Sequence, residues 1–201
     1  MKKYLLLLSL PFFLTSCGYH WEESDQLATH YQTVAIPYLE GDEEGLVTDA
    51  LVKAVGLSNQ LTYAKGGELI FEGKILSDSN SNIGWQYDRD PVSGTRINRL
   101  VPNEGRRELT VQFSLVAART GKVMYGPVEV SAQVDYDFVD SDSLLDTSFL
   151  TPTGLRQSVL FFSLGQLDSM QGAQSSAREP LYHKLATKIV RGIENIRLEE
   201  K

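Results

Sequence analysis

"ELTVQFSLVAARTGKVMYGPVEVSAQVDYDF", residues 108–138, holds two stretches of alternating polarity around a short polar turn. From Glu108 to Ala118, Leu109, Val111, Phe113, Leu115 and Ala117 point one way, and Thr110, Gln112 and Ser114 point the other. From Val123 to Phe138, Val128, Val130, Ala132, Val134, Tyr136 and Phe138 alternate with Glu129, Ser131, Gln133, Asp135 and Asp137. Successive side chains of a strand face opposite sides, so each stretch predicts a strand with one dry face and one wet face. The connection "ARTGKV" (118–123) contains Gly121 and is short enough for an antiparallel hairpin. A sheet that is apolar on one side only must be covered there by another layer.

Working outward, Leu69–Leu76 repeats the pattern, with Leu69, Phe71 and Ile75 opposed to Glu72 and Lys74. "TVAIPY" (33–38) reads as a further strand that Pro37 brings to an end. Between these two lies "EGDEEGLVTDALVKAVG" (40–56), where Leu46, Val47, Ala50, Leu51, Ala54 and Val55 recur at helical spacing. Asp42, Glu43 and Glu44 stand at its start, where the helix dipole favours negative charge, and Gly56 at its end. Dipole compensation accounts for these acids without a metal. At the other end of the chain, Leu181, Tyr182, Leu185, Ala186, Ile189, Val190 and Ile193 mark one face of a second helix of about 18 residues. Pro180 suits its first turn, and Ser176 with Glu179 forms a candidate capping box. His183 reads as a surface residue of that helix. The stretch 140–172, with "SVLFFSLGQL" (158–167), fits a buried strand or a helix segment equally well. The order is strand, helix, three strands, an undecided stretch and a helix.

The N-terminus sets the compartment. Lys2 and Lys3 precede the apolar run "YLLLLSLPFFL" (4–14), and the small residues Thr15 and Ser16 follow it. That is the plan of a secretory signal peptide, too short to span a bilayer. Cys17 is the single cysteine of the 201-residue chain. "LTSC" (14–17) resembles the bacterial lipobox, in which the chain is cut before a cysteine that carries lipid. The alternative is an ordinary exported protein with a small apolar Cys. Gly18, rather than Asp, follows the cysteine, and this resembles the pattern sorted to the outer membrane. The expected organisation is a signal peptide over 1–16, a lipidated N-terminus and tether over 17–31, and a single domain over 32–201, held to the membrane by its lipid on the periplasmic side. The formal charge of −7 becomes −9 without Lys2 and Lys3. An acidic balance argues against nucleic acid as a partner.

Few residues suggest chemistry. The three histidines are His20, His30 and His183, two of them in the expected tether. No metal-ligand spacing, nucleophile elbow or phosphate-cradling glycine loop occurs, so the expectation is a protein that is not an enzyme and needs no cofactor. One stretch stands out in an acidic chain: "WQYDRDPVSGTRINRLVPNEGRREL" (85–109), with Arg89, Arg96, Arg99, Arg106 and Arg107 beside Trp85 and Tyr87. It reads as a long loop between strands. Arginine offers a planar fork for phosphate or carboxylate. Arg99, Arg106 and Arg107 are therefore the candidate contacts to an anionic lipid or a partner, Arg89 being neutralised by Asp88 and Asp90. The plainer alternative is a solvated loop of mixed charge.

Cys17-Gly18-Tyr19-His20, then "VAIPY" (34–38), an acidic turn and "TDAL" (48–51) together resemble the LPS-assembly lipoprotein (LptE) family. The strand Leu69–Ile75, the Thr120-Gly121-Lys122 turn and the tail "LYHKLATKIVRGI" (181–193) are similar to later family elements. Leu144–Gly172 has no counterpart in that pattern. The resemblance implies an α+β fold, about four mainly antiparallel strands with two helices on one face. It also implies partnership with the outer-membrane β-barrel LptD, and lipopolysaccharide as a possible ligand. Two other readings stay open: a lipoprotein that only scaffolds the envelope, and a periplasmic hydrolase whose site converges in three dimensions.

Overall fold

A computed structural model describes residues 27–90, 93–140, 143, 148–158 and 169–197. The signal peptide, Cys17 and most of "SVLFFSLGQL" lie outside these residues. In chain order the elements are α1 (Leu27–His30), β1 (Thr33–Ala35), α2 (Leu46–Gly56), β2 (Thr62–Tyr63), β3 (Leu69–Arg89), β4 (Arg96–Ala117) and β5 (Val123–Asp137). They continue with β6 (Ser148–Leu150), β7 (Arg156–Ser158), α3 (Met170–Ser176) and α4 (Arg178–Glu194).

The hairpin forms in the expected phase. Thr110 pairs with Ser131, Val111 with Val130 and Phe113 with Val128. Leu109, Val111, Phe113 and Leu115 are buried, whereas Thr110, Gln112 and Ser114 keep partial exposure. Phe71 of β3 stacks on Phe113, ring centroids 4.9 Å apart. The architecture is α+β: a mixed sheet in the order β2-β1-β3-β4-β5, with α2 and α4 over one face. Among the described residues this sheet has five strands rather than four, because the two-residue β2 adds itself parallel to β1, and β6 and β7 pair separately. Two residues are too few to show a period. β1 is also parallel to β3, while β3, β4 and β5 run antiparallel.

The helices bury the stripes their spacing predicts. All seven apolar positions of α4 are buried, and His183 is exposed. In α2, Val47, Leu51, Ala54 and Val55 are buried, but Leu46 is 42% exposed. Asp42 does more at the helix start than offset a dipole. Its carboxylate accepts from the backbone N–H of Thr48 at 2.8 Å and from the Thr48 hydroxyl at 2.7 Å. The expected capping box at Ser176 is replaced: Ser169 caps α3 by accepting from Gly172 N–H, and α4 follows almost directly, with Pro180 in its first turn.

Two expectations need correction. The ordered fold starts upstream of residue 32, because Leu27 is fully buried and its N–H donates to Ile196 O at 2.8 Å. An apolar side chain and a backbone bond to the far end of the chain tie α1 into the core. The stretch 85–109 is not a loop either. β3 and β4 run on past the core as one long hairpin whose turn lies between Asp90 and Thr95.

Candidate functional site

At the rise of an extended strand, the 21 residues of β3 carry the chain roughly 60 Å from Leu69 to the turn. The base of this arm lies under the helices. In the tip, past the last residues of β4 that pair with β5, Trp85 stands opposite Pro102 and Tyr87 opposite Leu100. Directly opposed side chains share a face. These four therefore make one apolar surface, with Trp85 54%, Leu100 56% and Tyr87 42% exposed. Arg96 lays its guanidinium 3.4 Å from the centre of the Tyr87 ring, a cation–π contact. The other face of the tip is closed: Val101 and Asp88 are each 4% exposed.

Each of the three singled-out arginines meets an aspartate. Arg99 donates to Asp88, with Nε at 3.0 Å and Nη2 also in contact. Arg106 makes a fork on Asp135 of β5 at 2.6 and 2.9 Å. Arg107 makes another on Asp78 of β3 at 2.8 and 2.6 Å, and Nη1 reaches Gln174 O in α3 at 3.3 Å. Bidentate forks of this kind are the stronger charge-assisted bonds. The side chains differ in access: 49% exposed for Arg99, 35% for Arg106 and 8% for Arg107. Arg107 faces the helices, whereas Arg106 lies on the opposite sheet face with Thr110, Gln112 and Ser114, which no described helix covers. Asp88 pairs with Arg99 rather than neutralising Arg89, whose Nη1 lies 3.4 Å from Gly94 O.

These pairings shift the acids and bases. The Arg99 guanidinium holds the Asp88 carboxyl below the usual range, aided by the Arg89 backbone N–H and the Ser143 hydroxyl and opposed by burial. Arg106 likewise lowers Asp135, and Asp135 raises Arg106. Asp78 raises Arg107 against the effect of burial. The site is an assembled set of ion pairs with an aromatic tip, suited to binding. Among the described residues no cluster of His, Cys, Asp or Glu could hold a metal, and no helix is long and apolar enough to cross a membrane.

Sequence reasoning picks out Trp85 and Tyr87 but misses Leu100 and Pro102, whose i, i+2 spacing is the available signal. It also misses Asp78 and Asp135 as partners, since each is 29 residues from its arginine. A separate open hollow of about 690 Å³ lies between β1, β2 and α2, lined in part by Tyr38, Asp49, Tyr63 and Lys65.

No family model matches the chain, and no curated protein matches it. Among solved structures, a minor lipoprotein from Acinetobacter baumannii is similar, at 13% identity and a TM-score of 0.47, over 86% of this chain and 99% of that one. The rare lipoprotein B from Shewanella oneidensis is similar at 11% identity and a TM-score of 0.38, over 81% and 93%. A lipoprotein B from Nitrosomonas europaea is similar at 13% and 0.38, over 88% and 87%. All three are bacterial lipoproteins, and at these scores the likeness says nothing of what the chain does.

Proposed function

We propose that this chain is an outer-membrane lipoprotein, anchored through Cys17, whose periplasmic domain partners an LptD-type β-barrel in lipopolysaccharide assembly. It acts as a binding partner rather than a catalyst. What supports the reading is the way the family-like residues fit together in the fold. "VAIPY" supplies β1 and the bend after it, and "TDAL" lies within α2. Thr48 of α2 joins the two: its hydroxyl accepts from Leu39 N–H at 3.2 Å and donates to Asp42. The segment that follows β1, the acidic turn and the helix start are thus one hydrogen-bonded unit.

The surface offered to the barrel is the arm tip, with Trp85, Tyr87, Leu100 and Pro102. Aromatic side chains and arginine are enriched in the buried centres of protein interfaces. Arg99 and Arg106 stay partly exposed within their pairs with Asp88 and Asp135, and a glycolipid phosphate would share them with those acids, whereas Arg107 is buried against α3.

The test is detergent extraction of the tagged full-length protein, with mass spectrometry of what comes with it. A co-purifying β-barrel that is lost in a folded Trp85→Ala/Leu100→Ala variant is the expected result. A barrel retained by that variant would move the contact off the tip. Peptidoglycan or an inner-membrane complex in place of a barrel would favour a scaffold lipoprotein, and turnover of an envelope substrate would favour a hydrolase. Cys17→Ser should release the protein from membranes after a carbonate wash, and a variant that stays in the pellet would refute the lipid anchor.

A further inference from the structure

Among the described residues β5 is the last strand of its sheet. Such an edge presents a row of backbone N–H and C=O groups to any other extended chain. Two lysines of α4 lie against it. Lys184 Nζ donates to Gln133 O at 2.8 Å, and Lys188 Nζ donates to Ser131 O at 2.9 Å. The spacing explains the match. Four residues of helix rise about 6 Å, and two residues of strand rise about 6.8 Å. A helix running antiparallel to β5 can therefore set one ammonium on each successive outward carbonyl. Backbone groups alternate in direction along a strand, so the N–H groups of Ser131 and Gln133 point outward with their carbonyls.

We propose that Lys184 and Lys188 guard the β5 edge against strand addition by a second copy of this chain. The edge is self-complementary. A two-fold antiparallel pairing centred on Ser131 sets Glu129 opposite Gln133 and Val130 opposite Ala132, with no like charges facing. Each lysine takes up a carbonyl that the incoming strand would need, and sets a charged, strongly hydrated group in its path.

The test compares the full chain, purified in detergent, with Lys184→Met/Lys188→Met, which keeps the long stems and removes the donors. Light scattering after gel filtration reads the monomer–dimer equilibrium over a concentration series. The expected result is a roughly tenfold fall in the dimer dissociation constant, the scale of one or two net hydrogen bonds. Adding Ser131→Pro, which removes an outward N–H, should restore the wild-type equilibrium. A double variant with wild-type association would overturn the proposal, and so would extra association that survives Ser131→Pro. Should the Met pair disturb folding by circular dichroism, Lys184→Leu/Lys188→Leu, which also lacks a donor, is read against the same two outcomes.

Discussion

Arg107 Nε and Nη2 grip both carboxylate oxygens of Asp78, at 2.8 and 2.6 Å, where β3 and β4 leave the cover of the helices. The pair marks the point at which the hydrophobic core gives way to the arm. Its third contact, to Gln174 O, ties the strands to α3.

Removing one partner of a buried pair strands the other. Arg107→Ala should cost about 2–3 kcal/mol, below the figure for a wholly enclosed pair because Asp78 keeps a third of its exposure. Arg106→Ala, one position along and solvent-facing, should move the melting temperature far less. Equal shifts in thermal denaturation would show that burial does not separate the two forks.

Phe113 is 3% exposed and stacked on Phe71. Phe113→Ala should cost about 3–5 kcal/mol, and Gln112→Ala, on the uncovered face, little. Urea denaturation of both variants checks the alternation directly, because a shifted register would reverse the ranking.

A Cβ at Gly67 would stand 2.5 Å from Ala35 N and 2.6 Å from Val34 C, both backbone, whereas one at Gly66 meets nothing within 4 Å. Gly67→Ala should therefore destabilise by about 1–3 kcal/mol through overpacking of β1, and Gly66→Ala should not. Calorimetry of the two neighbours makes the comparison.

Acid should loosen the arm. The folded state lowers the Asp88 carboxyl, so its contribution is present above the unfolded value near 4 and is lost as pH falls through the folded one. Trp85 emission in a Trp21→Phe background should change as pH drops below about 4. Asp88→Asn should flatten that part of the titration, and an unchanged curve would remove Asp88 from the arm's closure.

Legibility followed the core. Leu109–Ala117 and Val128–Phe138 alternate because one side of each is dry, and α4 shows its stripe for the same reason. Ser77, Asp78, Ser79, Asn80, Ser81 and Asn82 are polar at every position, so the continuation of β3 carries no period to read. Arg107 was legible in phase alone: it falls two residues before Leu109, on the inward side of β4. A charge there looks solvated until its acid is found on a strand distant in sequence. Burial of Leu27 was hidden because its partners, near Ile196, come from the other end of the chain.

The direction of β1 determines how the domain bears load. Its N-terminal side leads back through α1 toward Cys17, and it runs parallel to β3, whose far end is the arm tip. A pull between a fixed anchor and a partner holding the tip would draw β1 and β3 past each other lengthwise. The backbone bonds around Val34 and Ala35 would then have to yield together, rather than opening one after another. Under such a load the domain would be strongest along that line.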